Sequence, residues 1–554
     1  MTDISKGKGR RGLKHPGRHS FFCGFYSFAG HFLFGCLIFA AFATFVQMGF
    51  FKDHFVTAKI VWLLGTAGIA AAMIAGRRML RRYSARERIA GKPVSGILAE
   101  AVPACLLMLA GLILRMAVIL SLPAEPSSDF ATYYTLADML SRNAIVTEGA
   151  GYVEYVSLFP HVLGYPAVLS VVFRVFGTSV YHAQVFNLVL QTLAWVMIWR
   201  TARCLGGRIS GLIALAFVTL LPSAVLFSNM VAGEPLFTCL QSAALLLFVR
   251  LVRADRKQDP HHGLYLAGLI LLGLILAFSS FIRPMGIIFL IAAVICIFTL
   301  PERKSDGKKR FLFRLTDRRW KRSLILAVFY FLGSMTFSAY TARTIQREPA
   351  GASASFGYNL LVGLNLQSFG NWNEEDMALL EQSLRETGSA TEAHRACLAR
   401  VGERLKAEAL ELPLLLGGKF AVLWALDYYG EFWNEKFLEQ QGKLTPERAA
   451  FLNLAYDPCD MFYLFMLICA AFYVRHRFRK QPDAGYAAVL ALCGIIALHL
   501  LVETQNRYHY CALYFLAIPA SMGIRPFIGW AEALGIRMRD RFRDRKNRRE
   551  KSPA

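Results

Sequence analysis

The residues best suited to chemistry lie in a short polar loop, Ala124 to Tyr134, with the sequence AEPSSDFATYY. The loop directly follows an apolar run, which places Asp129 at the lip of a membrane, where a lipid-linked substrate would present its head group. A carboxylate there can take a proton from an attacking hydroxyl and can stabilise positive charge developing beside it. A phosphate leaving group is already an anion and needs cations rather than an acid; planar arginine suits it well. Arg283, before Pro284, and Arg507, before Tyr508, stand at the outer ends of apolar segments and fit that role.

Those residues need a membrane scaffold, and the composition supplies one. The chain has 554 residues, 55% hydrophobic and only 18% charged, with mean hydropathy +0.40. Apolar blocks of roughly 17 to 25 residues recur, each long enough to cross about 30 Å of hydrocarbon, and about twelve such spans are expected. Among them are Thr57 to Gly76, Ile209 to Leu226, Met285 to Leu300 and Tyr486 to Val502. Basic clusters recur at every second connection, from Lys6 to Arg18 through Arg303 to Arg322 to the tail at Arg537 to Lys551. Lys and Arg beside spans stay cytoplasmic, so both termini are expected there and the net charge of +24 is mostly a topology signal. Basic residues scattered among loops exclude a nucleic-acid partner, which needs them on one folded surface.

The opposite face carries two long connections, Pro123 to about Ser179 and about Thr344 to Pro458. Loops of that length are usually functional. The first ends in the apolar stretch Ala167 to Phe176, too short to span and read as an interfacial helix. The second opens with the Gly/Asn-rich passage Tyr358 to Asp376 and continues into helical spacing over Met377 to Glu411. Leu414 to Trp433 is apolar but broken by Gly417, Gly418, Lys419 and Asp427, and is read as re-entrant or interfacial rather than as a thirteenth span. The resulting expectation is an all-α polytopic membrane protein with interfacial helices in two extracytoplasmic loops. It divides into a basic tail (1–31), an extra hairpin (32–98), a core (99–343, with the loop 123–179), an external segment (344–458), last helices (459–528) and a basic tail (529–554).

Several signals point elsewhere. GKGRRG at Gly7 to Gly12 follows no strand and opens no helix, so it is a basic tail and not a dinucleotide site. The eleven cysteines contain no CxxC pair. No HExxH or P-loop is present, which leaves ATP-driven transport without an engine.

The order of features is more specific. SSDFATYY is followed by LFPHVLGYPAVLSVVFRVFG (Leu158 to Gly177), LPSAVLFSNMVAGEPLF (Leu221 to Phe237), FIRPMG (Phe281 to Gly286) and ETQNRYHY (Glu503 to Tyr510). Over roughly Val102 to Ile524 the chain resembles the GT-C superfamily of integral-membrane glycosyltransferases. It is similar in particular to the polyprenyl-phosphate-dependent family that includes protein O-mannosyltransferases and lipid A aminoarabinose transferases. The resemblance implies a polyprenyl-phosphate-linked sugar as donor, transferred outside the cytoplasm to a hydroxyl on a protein, a lipid or a cell-wall polymer. It implies that Asp129 is the catalytic acidic residue of the first external loop. The family commonly has Asp-Glu where this chain has Asp129-Phe130, so the second carboxylate is absent or comes from elsewhere, and a divalent metal has no visible support.

Other candidates for substrate contact are Tyr133, His161, Tyr165, Glu234, Asn365 and Tyr508, with Tyr358, Asn359 and Trp372 as a carbohydrate-facing surface. Each has a plainer alternative. Asp129 and Glu234 can cap helices, the arginines can snorkel to lipid phosphates, His161 can pack beneath the GYP turn, and Gly/Asn-rich loops can form turns without a ligand. Three function classes follow: the glycosyltransferase or a related glycan polymerase, a transporter or flippase of lipid-linked sugars, and a non-catalytic scaffold. Arg115 and His499 inside spans are what a transporter would offer, but no repeated halves accompany them. The lack of any N-x-Ser/Thr sequon and the short loops suggest a bacterial cell membrane.

Overall fold

The computed structural model describes residues 19–50, 98–256, 262–300, 318–352, 354–477 and 483–550. Among these the chain is helical throughout, with no strand, as expected for a segment that must satisfy its backbone polar groups inside hydrocarbon. Eight helices are long and apolar enough to cross a membrane, and a bent pair, Arg208–Leu220 with Pro222–Asn229, makes a ninth if taken as one span. The chain is thus a polytopic, multi-pass membrane protein.

The count of twelve resolves into these nine, one segment (Thr57 to Gly76) outside the described residues, and two helices shorter than expected. Gly286–Thr299 has 14 residues and Tyr486–Leu501 has 16. At 1.5 Å per residue they reach only about 21 and 24 Å. Leu412–Trp424 and Tyr429–Gln440, of 13 and 12 residues, replace the apolar passage Leu414 to Trp433 and are likewise too short to span.

The bend in the pair has a definite cause. Pro222 has no N–H to offer Val218, and it holds Leu221 outside the helical region (φ −58°, ψ 111°). The carbonyls freed there are taken by Arg115, fully buried on the neighbouring span Glu100–Ser121. Its Nη1 donates to Thr219 O at 2.6 Å, its Nη2 to Val218 O at 3.3 Å and its Nε to Gln191 Oε1 at 2.6 Å. The guanidinium lies over the Trp195 ring, 4.5 Å from its centre. Arg115, which the sequence offers as a transport residue, is therefore the clamp on a broken helix.

The two long loops fold into helices that pack on one another. Leu136, Val156 and Leu163 of the first share a buried cluster with Leu361, Leu380, Leu384, Ala393 and Cys397 of the second. His394 ties them together: its Nε2 pairs with Leu158 O at 2.9 Å, and its Nδ1 accepts from Tyr358 N at 3.3 Å. The helical spacing over Met377 to Glu411 forms as two helices, Glu374–Thr387 and Ala390–Ala407. Asn373 caps the first by accepting from Asp376 N, Gly388 ends it in the left-handed region (φ 66°), and Ser389 caps the second. The short apolar stretch of the first loop forms a helix, Gly164–Phe176, burying Tyr165, Leu169 and Phe173 while Val171, Val175 and Phe176 stay exposed. Gly164 begins it because a Cβ there would lie 2.2 Å from Phe281 O.

Replacing Arg115 with Met should keep the bulk but orphan the buried acceptors, each worth about 1–3 kcal/mol when left unsatisfied. The expected result is a clearly lowered melting temperature in detergent. An unchanged melt would show that the break is held by something else.

Candidate functional site

Between the helical loops and the spans lies a cavity of about 720 Å³. It explains the two short helices: Met285 before one and Leu498, His499 and Val502 at the end of the other line its wall. Asp129, Arg283 and Arg507, separated by hundreds of residues in sequence, all line this one cavity.

Asp129 is the first residue of helix Asp129–Ser141. Ser128 before it is held at φ 53°, a region that favours glycine, and makes no side-chain cap. The connection is clasped from outside, where Gln441 Nε2 donates to Glu125 O at 2.9 Å and Ser127 Oγ donates to Gln440 Oε1 at 3.2 Å. Asp129 does not cap the helix with its side chain; its Oδ2 accepts from Arg507 Nη2 in an ion pair. Arg507 is only 3% exposed, with its guanidinium 4.8 Å from the Phe130 ring centre and 5.0 Å from that of Trp433. Phe130 thus packs under the arginine, seated against Phe227, Trp433 and Phe437.

The segment carrying Arg507 is fastened to its neighbours by hydrogen bonds. Glu503 N donates to Asn359 O at 3.0 Å and Thr504 N to Gly370 O at 2.8 Å. Asn506 Nδ2 donates to Leu426 O at 2.7 Å, and His509 Nε2 pairs with Asp427 Oδ1 at 2.9 Å. Lys419 is buried and donates to Gly363 O at 2.5 Å and Val502 O at 2.8 Å. Burial lowers its pKa to about 7. Gly363 permits this approach, since a Cβ on it would meet Leu501 O at 2.2 Å.

On another part of the wall Arg283 forms an ion pair with Glu234 and lies over the Tyr508 ring, 5.3 Å from its centre. Tyr133 lines the cavity, and burial pushes its phenol up to about 12, so it remains an O–H donor. His161 lines it too; burial first, then Arg283, lower its pKa to about 4, which leaves the imidazole neutral at neutral pH.

Of the residues singled out in the sequence, Asp129, Tyr133, His161, Arg283, Arg507 and Tyr508 line the cavity, with Tyr358, Asn359 and Trp372. Three stand one layer behind. Tyr165 packs edge-on against Tyr133 and donates to Asn187 Oδ1 at 3.1 Å. Glu234, 3% exposed, is the counter-charge of Arg283. Asn365 is turned into its own loop, donating to Asp376 Oδ2 at 3.0 Å and accepting from Ser368 N at 3.1 Å, and is not part of the cavity lining. Sequence reasoning missed Glu503, Tyr155, Trp433 and Lys436, which also line the cavity. Trp433 and Lys436 are three apart on one helix, with the ammonium 5.0 Å from the indole centre, a basic-aromatic spacing visible in the sequence. Glu503 stands four residues before Arg507 within ETQNRYHY.

A metal does not fit these residues well. Among the described residues no group of three or more His, Cys, Asp or Glu side chains could hold one, and Asp129 is already partnered by Arg507.

Residues 160–316 match the family model described as dolichyl-phosphate-mannose-protein mannosyltransferase, which bears out the resemblance to GT-C membrane glycosyltransferases. Membrane glycosyl transfer is the class of activity that this match supports. Among solved structures, the Archaeoglobus fulgidus oligosaccharyltransferase tethered with an acceptor peptide is similar at a TM-score of 0.43 and 14% identity, over 77% of this chain and 50% of that one. The apo form of the same enzyme gives a TM-score of 0.42 at 15% identity, over 81% and 52%. The archaeal oligosaccharyltransferase AglB from Archaeoglobus fulgidus in complex with an inhibitory peptide and a dolichol-phosphate gives 0.40 at 14%, over 80% and 51%. The chain therefore spans about half the length of these neighbours. No curated protein matches it.

Lys419 supplies a pH test with a definite sign. Its pKa is lowered on folding, so the unfolded chain binds more protons between about pH 7 and the ordinary lysine value near 10.4, and stability should rise with pH across that window. Lys419→Met should remove that rise, lower the melting temperature, and speed hydrogen exchange over residues 502–509. A wild-type melt that stays flat from neutral to alkaline pH would contradict the buried clamp.

Proposed function

We propose that this protein transfers a sugar from a polyprenyl-phosphate donor to an acceptor hydroxyl on the extracytoplasmic side of a bacterial cell membrane. One observation carries the reading: a carboxylate and two arginines from three distant segments line a single cavity. Asp129 is the catalytic carboxylate, facing the positive charge that develops on the ring as the bond to phosphate breaks. Arg283, half-held by Glu234 and open to the cavity, receives the phosphate. Tyr133, His161 and Tyr508 orient the donor, and Tyr358, Asn359 and Trp372 present polar and aromatic surface to carbohydrate. Glu234 and Tyr165 act from behind by holding Arg283 and Tyr133.

A second, smaller cavity of about 190 Å³ supports a lipid carrier. It shares His161, Pro284 and Asn359 with the first and continues past Phe281 and Phe337, between helices His262–Ile282 and Arg318–Ile345. An isoprenoid tail would lie there with its phosphate at Arg283. The sidedness rests on the basic clusters, which assign 123–179 and 344–458 to the external face, 1–31 and 529–554 to the cytoplasm, and the spans of 32–98, 99–343 and 459–528 to the membrane. The acceptor is a protein, a lipid or a cell-wall polymer. Of the two groups inside spans that a transporter would offer, Arg115 holds a helix break rather than lining a path, and His499 lies in the wall of the same cavity as Asp129.

Asp129→Asn keeps an oxygen acceptor for Arg507 Nη2 but removes its counter-charge, so its activity is read only at temperatures below the melting temperature measured for the variant in detergent. In proteoliposomes supplied with polyprenyl-phosphate mannose it should lower transfer by about 10²- to 10⁴-fold, the range of a lost acid–base or charge-stabilising group. Full activity in that variant would refute Asp129 as the catalytic carboxylate.

A further inference from the structure

The cavity holds a second carboxylate, Glu503. Glu503 lines the same wall as Asp129 but comes from the segment between the short helix Tyr486–Leu501 and the turn Asn506–His509. Its backbone is fixed by Asn359 O, and its Oε1 accepts from Gln505 Nε2 at 2.8 Å and from Tyr508 OH at 3.1 Å. Both side-chain bonds fall on Oε1, which leaves Oε2 without a hydrogen-bond donor in a residue that lines the cavity.

The two carboxylates differ in what surrounds them. Asp129 Oδ2 is engaged by Arg507, and a proton arriving on that carboxylate would leave a guanidinium that is 3% exposed without its counter-charge. Glu503 has no such obligation. The ionisable groups that bear on it are Asp129, Arg507 and Tyr508, together with Tyr155, Tyr358 and Lys419 from three other helices. Burial, and next Asp129, raise its pKa above the ordinary carboxyl value. Paired carboxylates whose environments push them apart divide the acid–base work between them, and a base is most effective when it titrates near the operating pH.

We propose that Glu503 is the general base, and that Asp129 is left to face the cationic ring. This rests on the sugar-transfer reading above. In the step, the acceptor oxygen forms its bond to the anomeric carbon as the bond from that carbon to the phosphate oxygen breaks. The bonding pair leaves on the polyprenyl phosphate, and the hydroxyl proton passes to Glu503 Oε2. Tyr508 and Gln505 hold the carboxylate through Oε1.

The test uses the full chain in proteoliposomes with polyprenyl-phosphate mannose, comparing wild type, Glu503→Gln, Glu503→Asp and Asp129→Asn. Gln retains the Oε1 acceptor for Tyr508 and Gln505, so the wall keeps its shape while the base is lost. Expected are a fall in kcat of at least about 100-fold for Glu503→Gln, an unchanged KM for the donor, and partial recovery in Glu503→Asp. In the wild type kcat should fall as pH drops through the Glu503 pKa, because the protonated acid cannot accept. The infrared carboxyl band missing in Glu503→Gln should titrate at that same pH, above the ordinary range. A Glu503→Gln enzyme with near wild-type kcat, or a Glu503 band titrating at the ordinary value, overturns the assignment while leaving sugar transfer standing. Loss of the wider reading looks different: Asp129→Asn would then be as active as the wild type.

Discussion

Arg507 is a guanidinium taken almost wholly out of water, and much of the site is arranged around that cost. An unpaired buried charge costs several kcal/mol, and a full pairing offsets it only with good geometry. Here the offset comes from the Asp129 carboxylate and from the rings of Phe130 and Trp433. Asp129 and Phe130 come from the first loop and Trp433 from helix Tyr429–Gln440, so the pairing fixes these two and the segment before the last span against one another. The segment 502–509 is fastened where Arg507 needs it, because Lys419, Asn359, Gly370 and Asp427 each bond one of its polar groups.

The same constraint accounts for the irregular helices. Backbone that is not helical is tolerated at membrane depth only where it is buried in protein or faces a polar cavity. Gly286–Thr299 and Tyr486–Leu501 stop at the cavity, and their free ends supply Arg283, Glu503 and Arg507. The other break, at Pro222, lies inside the protein and is satisfied by Arg115. One kind of interruption delivers side chains to the site, and the other is closed off by a side chain.

These differences show why some features were legible in the sequence and others were not. Asn373, Gly388 and Ser389 are caps of recognisable type, and they mark helix ends that the apolar pattern alone runs together. Asp129, Arg283 and Arg507 stand out because a charge beside an apolar run has few plain uses. Tyr165, Glu234 and Asn365 share that kind of address, yet they lie a layer behind; which face a residue presents is set by packing partners such as Asn187, Arg283 and Asp376. Counting apolar residues also cannot reveal that a helix stops short at a cavity formed by loops far away in sequence.

The pair Asp129-Phe130 shows what a two-carboxylate motif gives up when it is split. Phe130 is fully buried against Trp433 and Phe437. A glutamate there would place a second charge in that apolar seat and compete with Asp129 for the one arginine. With a ring at 130 and the second carboxylate at 503, each acid has its own surroundings: one is ion-paired, and the other is held by a phenol and an amide. Neighbouring carboxylates that share one environment couple their titrations. Asp129 and Glu503 still feel one another, but their partners differ, so a chain that lacks the adjacent acid provides both an ion-paired negative charge and a carboxylate held by neutral donors.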